Sequence, residues 1–337
     1  MTSLHTVSLA ELAHRFKTDL THLEQVSALY PCRISSYYAG LITAPYDPVW
    51  KQCVPSVEEC DDTVQLPDPL DEERLSPVPG LIHRYPGRAV LLVSNRCATY
   101  CRFCMRKRTV GEEGEAAFDL AAAVEYIRQQ AGIHDVVLSG GDPLMLSDNQ
   151  LEEILAELHQ IPHVQIIRIG SRMPVTAPER VTPQLCRVLS RFQPLYLNTH
   201  FNHPRELTPE AAAACGLLAD AGICLGNQTV LLKGVNDDTA VLEELFRVLL
   251  KMRVRPYYLH QMDLVQGTAH FRTELETGRN LIGSLRGRLP GMAIPHFVVD
   301  LPGGKGKVPI LPETLKYAEG VWQIRTNSGE WVNYADP

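Results

Sequence analysis

At 337 residues, with 45% hydrophobic and 21% charged side chains and a formal net charge of -7, the chain has material for one barrel-sized domain of about 200–250 residues plus appendages. The acidic balance argues against a broad basic surface for nucleic acid, and the opening MTSLHTVSLAELAHRFKTDL, charged throughout and without an uninterrupted apolar stretch, is expected to be neither a signal peptide nor a membrane span. Nine cysteines, an odd number without the dense spacing of a secreted scaffold, suit a reducing compartment, so a cytoplasmic location is expected. Cys32, Cys53, Cys60, Cys186, Cys215 and Cys224 read as structural thiols.

Residues 1–80 predict helical and loop material. SLAELAHRF offers a serine cap ahead of helically spaced apolar residues, and the proline- and acid-rich CVPSVEECDDTVQLPDPLDEERLSPVPG reads as a connector. Beyond it, short apolar runs alternate with amphipathic ones. RAVLLV is followed by AAAVEYIRQQ, DVVLS by NQLEEILAELHQ, VQIIRIG by TPQLCRVLSRF, PLYLNTH by TPEAAAACGLLADAG, ICLGNQTVLL by TAVLEELFRVLLKM, and then comes RPYYLHQ. Units of about 30 residues, each a strand-length run followed by a helix, predict parallel βα pairs. The helix starts at SDNQ, VTPQ and LTPE carry caps and early prolines. The expected fold is α/β: a partial (βα)6-type barrel over residues 81–310, with an N-terminal helical appendage and linker over 1–80 and a short C-terminal extension over 311–337. Reaction sites in such barrels form at the C-terminal ends of the strands, and the chemically distinctive residues here follow strand ends.

The first of these are Cys97, Cys101 and Cys104 in CATYCRFC. Iron-sulfur clusters are usually held by four thiolates, so a compact trio without a fourth at matching spacing implies one iron open to a non-protein ligand. A structural zinc site usually takes four protein ligands and commonly uses CxxC spacing, which fits less well. The CxxxCxxC spacing resembles that of the radical S-adenosylmethionine (SAM) enzymes, whose open iron chelates the amino and carboxylate groups of SAM. The barrel expectation agrees with this likeness. After DVVLS, the turn Ser139-Gly140-Gly141-Asp142 is by itself only a tight turn, but the resemblance places it against the SAM amino group, with strand-end His200 and Gln228 also on SAM.

From about His83 onward a narrower likeness holds. IGSRMPVTAPERVTPQL, LNTHFNHPRELTPE, LLADAGICLGNQTVLLKGVND, RPYYLHQMD and HFVVDLPGGKGKVPI resemble the lysine 2,3-aminomutase family. That likeness implies a second cofactor, pyridoxal 5'-phosphate (PLP), and marks Lys307, rather than Lys305, as the lysine that carries it. Arg84 and Arg88 in HRYPGR are implied phosphate contacts, with Tyr85 on the PLP ring. Arg106 is the implied clamp for the substrate carboxylate, a bidentate partner by nature, while Arg102, Lys107 and Arg108 are expected only to offset the charge of the cluster. Asp263 and Asp300 are implied to receive a distant cationic group. Two buried carboxylates without a cation would repel until one protonates, so the pair favours a basic substrate.

Departures from the longer family members also count. The chain ends WVNYADP, without a C-terminal cysteine cluster, and Asp238 stands where those enzymes carry a zinc-binding cysteine, which argues against structural zinc and a zinc-stapled dimer. His260 replaces a tyrosine and Phe103 a histidine; these changes, with VQGTAHF, resemble the relative that makes β-lysine for modifying elongation factor P. The expected function is interconversion of L-lysine and β-lysine by a radical SAM isomerase with a [4Fe-4S] cluster, SAM and PLP. Electrons are expected from a donor such as flavodoxin or ferredoxin, and any homo-oligomer would lack the zinc staple. No nucleic-acid or membrane partner is expected. Arginine is an alternative substrate, elongation factor P modification an alternative output, and a cluster-bearing sensor the non-enzymatic alternative; glutamate is disfavoured because its side-chain carboxylate would face Asp263 and Asp300.

Overall fold

The computed structural model describes residues 4–62, 65–112, 114, 116–311, 313–318 and 321–334. Four helices lead: α1 (Leu9–Phe16), α2 (Leu20–Leu29), α3 (Ser36–Gly40) and α4 (Pro48–Cys53). Ser8 starts α1 by a reciprocal box, its hydroxyl accepting from the Glu11 N–H while the Glu11 carboxylate accepts from the Ser8 N–H. Asp47 caps α4, accepting from the N–H groups of Val49 and Trp50, with Pro48 supplying no donor at the first helical position.

The main sheet has nine strands in sequence order. A hairpin of β1 (Leu81–Tyr85) and β2 (Arg88–Ser94) opens it; β3 (Asp135–Gly140), β4 (Ile166–Gly170), β5 (Leu195–Thr199), β6 (Cys224–Leu231), β7 (Arg255–Gln261) and β8 (His296–Leu301) run parallel with β2; and β9 (Gly306–Pro309) turns back antiparallel on β8. Parallel neighbours need long crossovers, supplied by α5 (Leu120–Gln129), α6 (Asp148–His159), α7 (Met173–Thr176) with α8 (Pro183–Leu189), α9 (Pro209–Asp220), α10 (Thr239–Lys251) and α11 (Leu275–Leu285). Ser147, Thr182 and Thr208 cap α6, α8 and α9 as the sequence predicts. Asp238 caps α10 through the N–H groups of Ala240 and Val241, which gives that position a local role of its own.

Alternation along the strands divides two environments. Ala89, Leu91, Val136, Leu138, Ile167 and Ile169 are buried in a core shared with Leu151, Leu155 and Leu158 of α6 and with Leu242, Leu245, Phe246 and Leu249 of α10, which recur at helical spacing. Their neighbours Val90, Val137, Arg168, Val230 and Tyr258 face a central cavity. The same core continues into Leu12, Tyr38 and Trp50 of the leading helices and Ile34 in the loop before α3.

Structure beyond the six predicted units comprises α7, α11, the seventh parallel strand β8, and the antiparallel edges: β1 turns polar after Leu81 and Ile82 and β9 has four residues, so neither carries the apolar run that signals a strand. The C-terminal extension forms a separate antiparallel sheet of β10 (Leu315–Ala318), β11 (Val321–Arg325) and β12 (Trp331–Tyr334). Among the described residues no helix is long and apolar enough to cross a membrane.

Candidate active site

One cavity of about 360 Å³, running from the C-terminal ends of the parallel strands down into the barrel, gathers every predicted site residue. Cys97, Cys101, Cys104 and Arg106 reach it from the loop after β2; Ser139, Gly140, Gly141 and Asp142 from the end of β3; His200 from β5 and Gln228 from β6; Asp263 from β7, Asp300 from β8 and Lys307 from β9; Arg84, Tyr85 and Arg88 from the β1–β2 hairpin. Lys305 does not line it.

The cysteine loop is anchored from outside the barrel. Buried Glu59 pairs with Arg102, whose Nε and Nη2 donate at 2.9 and 2.5 Å, and with the Lys107 ammonium. Burial alone would push the Glu59 carboxyl up, but Arg102 and Lys107 hold it below its usual range. The backbone N–H of Arg102 also donates to the Gln52 carbonyl of α4 at 2.9 Å. These two cations therefore neutralise Glu59, and Arg108 pairs with Asp68 and Glu73. Arg102, Lys107 and Arg108 thus brace the loop as well as bearing charge: two cations on one carboxylate leave one positive charge over, and that of Lys107 is felt at Cys104.

The cation that does touch a cysteine is Arg172, just past β4. Its Nη1 donates to Cys101 Sγ at 2.9 Å, its Nε to the His200 carbonyl, and its Nη2 to Glu206, Gln52 and the Tyr38 hydroxyl. Nothing in IGSRMPV distinguishes this arginine from a surface one, so it was not foreseen. Burial pushes the free Cys97 thiol well up and Cys104 up to about 11. Such thiols ionise only beside a strong positive charge, which iron provides. Among the described residues no three His, Cys, Asp or Glu side chains converge on a single ion, and a cubane does not require it, because each thiolate binds a separate iron. Three cysteines opening into one cavity fit a cluster with one unligated corner.

The glycine turn is dictated by backbone crowding. A Cβ on Gly140, which holds φ +115°, would overlap the Ser94 carbonyl, and one on Gly141 would lie 2.5 Å from the Arg96 oxygen and 2.7 Å from its nitrogen. Asp142 points back into the protein: Oδ1 accepts from Leu144 N–H and Ser171 Oγ, and Oδ2 from Arg172 N–H. Its carboxylate therefore fixes the ends of β3 and β4 relative to each other.

Two histidines lie deeper. Burial, then the Arg172 and Lys307 charges, push His200 down to about 3, and burial with Lys307 takes His260 well below its usual value, so both are neutral imidazoles. His260 bridges predicted groups of different kinds, with Nε2 at 3.1 Å from Gln228 Oε1 and Nδ1 at 3.2 Å from Lys307 Nζ.

Around Lys307, the Tyr85 hydroxyl accepts from the Lys307 N–H at 2.7 Å and Asp300 pairs with the ammonium. Arg84 and Arg88 lie 5.3 and 4.8 Å from the centre of the Tyr85 ring, and Arg84 Nη2 also donates to Asp300 at 3.0 Å. Among the described residues Arg88 has no carboxylate partner. An amine, a free guanidinium and an aromatic ring on one wall form a donor set that fits a phosphate-bearing aldehyde such as PLP.

The two aspartates are not equivalent. Asp300 is already held by Arg84 and Lys307, whereas Asp263 has a buried Oδ1 without a hydrogen-bond partner among the described residues. Burial and then the Asp300 charge push Asp263 up to about 7. Arg106, the predicted carboxylate clamp, presents Nε and Nη2 to Glu72 at 2.9 and 2.7 Å and Nη1 to Ser139 Oγ at 3.1 Å. Glu72, in the proline-rich connector, lines the cavity and was not foreseen, because acidic connectors usually face solvent.

Comparison with known proteins agrees with this arrangement. Residues 91–246 match the Radical SAM superfamily and residues 282–337 match the Lysine-2,3-aminomutase family. The L-lysine 2,3-aminomutase of Fusobacterium nucleatum is 51% identical over 310 residues, covering 90% of this chain and 73% of that protein. The L-lysine 2,3-aminomutase of Clostridium subterminale is 48% identical over 310 residues, covering 90% and 74%. A glutamate 2,3-aminomutase of Clostridioides difficile is 41% identical over 335 residues, covering 98% and 79%. With a superfamily match that takes in the cysteine loop and near-half identity to relatives over nine-tenths of its length, the chain belongs to the lysine 2,3-aminomutase family of radical SAM enzymes.

Proposed function

We propose that this enzyme interconverts L-lysine and β-lysine by moving the amino group between adjacent carbons. When bound, the cluster, SAM and PLP supply the radical chemistry, and the protein supplies binding, orientation and electrostatics. Cys97, Cys101 and Cys104 hold the cluster. Ser139, Gly140, Gly141, His200 and Gln228 frame the space for SAM beside it, with Asp142 fixing that wall. Arg84, Tyr85, Arg88 and Lys307 hold PLP. Arg106 orients the substrate carboxylate, with Glu72 and Ser139 fixing its guanidinium plane.

The observation that supports lysine is the orphaned Asp263 oxygen. A buried carboxyl near neutrality, repelled by Asp300, is satisfied by a cation entering the pocket, and the terminal ammonium of lysine is such a group. Beside Asp263 and Asp300 the side chain of glutamate would be a third carboxylate, which disfavours glutamate even though one relative is named for it. Neutral His200 and His260 add no competing positive charge. An electron donor of the flavodoxin or ferredoxin kind, a cytoplasmic location and any oligomer without a zinc staple remain part of this proposal.

The test is anaerobic incubation of reconstituted protein with PLP, SAM, reductant and single amino acids, with products resolved by chiral mass spectrometry. Formation of β-lysine from lysine is expected. Preferential turnover of glutamate or arginine would refute the lysine assignment.

A further inference from the structure

We infer that Arg172 is a positioning residue that sets the reduction potential of the iron-sulfur cluster, and that Glu206, with Tyr38 and Gln52 of the leading helices, holds it for that purpose. The inference rests on Cys97, Cys101 and Cys104 as the cluster ligands and goes beyond that assignment.

Arg172 is 8% exposed and Glu206 is fully buried. The Arg172 guanidinium places Nη1 at 2.9 Å from Cys101 Sγ. Its opposite side is fixed by Glu206 Oε1 at 2.7 Å, Gln52 Oε1 at 2.6 Å and the Tyr38 hydroxyl at 3.0 Å, while Nε donates to the His200 carbonyl at 3.1 Å. The rings of Phe103 and Tyr38 each lie 5.2 Å from the guanidinium carbon. Glu206 is fixed in turn by the N–H groups of Asn202 and His203 at 2.6 and 3.0 Å and by the Tyr38 hydroxyl at 2.5 Å. The fork therefore has one orientation, with one nitrogen on a ligand sulfur.

One-electron reduction adds a negative charge to the cluster. A guanidinium hydrogen-bonded to a ligand sulfur in a buried site favours the more negative state and raises the potential, and hydrogen bonds to the sulfurs are among the features that set this quantity. Glu206 opposes the effect from farther away, because its carboxylate lies behind the guanidinium. The two members of the ion pair thus act with opposite sign, which a merely structural salt bridge would not do.

The experiment is an anaerobic redox titration of reconstituted protein, followed by the electron paramagnetic resonance signal of the reduced cluster and accompanied by iron analysis. Wild-type iron content tests the three-cysteine assignment separately from the potential. In Arg172→Gln the midpoint is expected to become more negative, and in Glu206→Gln, which keeps the arginine but removes its counter-charge, less negative. An Arg172→Gln midpoint equal to wild type, or shifts of the same sign in both variants, would overturn the inference. Should Arg172→Gln fail to fold or to take up iron, Glu206→Gln decides: a less negative midpoint supports it, and an unchanged or more negative one refutes it.

Discussion

Asp263 shows how one carboxyl couples selectivity to pH. Its pKa, raised from 3.8 to about 7 by burial and by Asp300, means that the folded protein binds more protons than the unfolded chain between those values. Its contribution to stability therefore falls as pH rises through that window. A cationic substrate requires the ionised form, so the KM for lysine is expected to fall as pH rises toward about 7, by up to about tenfold per pH unit. Asp263→Asn should abolish this dependence and depress lysine turnover by orders of magnitude while PLP absorbance persists; steady-state kinetics across pH checks both. At Lys307, borohydride reduction and peptide mapping should find PLP on that residue, and a label on Lys305 would contradict the assignment. Placement in the cavity was legible where the residue pattern is distinctive, as at the three cysteines and Lys307. Arg172 and Glu72 were not, because an arginine or glutamate signals function only once its partners are known, and those partners lie far away in sequence.

Among the elements, the β3 turn and the cysteine loop carry the site's geometry. Gly141 has no room for a side chain because backbone atoms of Arg96 stand at 2.5 and 2.7 Å from a Cβ position. Gly141→Ala should push the cysteine loop away from β3 and lower iron content, measured after reconstitution. Glu59→Ala would leave Arg102 and Lys107 buried without their counter-charge, and breaking such a pair typically costs about 3–5 kcal/mol. Denaturant unfolding of the variant should show a loss of that order, with the cysteine loop more open to proteolysis. The crossover helices α5, α6, α8, α9 and α10 and the parallel strands β2 to β7 were readable from periodicity and caps, whereas α11 and β8 were not among the predicted units. Nor were the antiparallel edges β1 and β9 and the C-terminal sheet, since each takes its strand character from a partner rather than from an apolar run of its own.

For the molecule as a whole, the cluster should depend on three thiols out of nine. Cys97→Ala, Cys101→Ala or Cys104→Ala should each abolish SAM cleavage, while Cys215→Ala, in a side chain buried on α9, should leave iron content nearly intact; iron analysis and detection of 5'-deoxyadenosine distinguish the two groups. Barrel class and site location were legible because alternating βα units force the strand ends to one side. The bracing of the cysteine loop by the leading helices was hidden, because Glu59 and Gln52 look like ordinary surface residues until the chain folds back over the barrel.

The seam between β1 and the β8–β9 hairpin, tied by Arg84 to Asp300 and to the Gly304 carbonyl and by Tyr85 to the Lys307 N–H, carries a consequence for biosynthesis. The three cysteines leave the ribosome early, but β1 waits for almost the whole chain before its last partner exists, and such distant pairings form late. A nascent or prematurely ended chain therefore holds the cysteine loop without Lys307, the lysine proposed to carry PLP, and the two ends of the barrel become one cavity only at the stroke that shuts the seam.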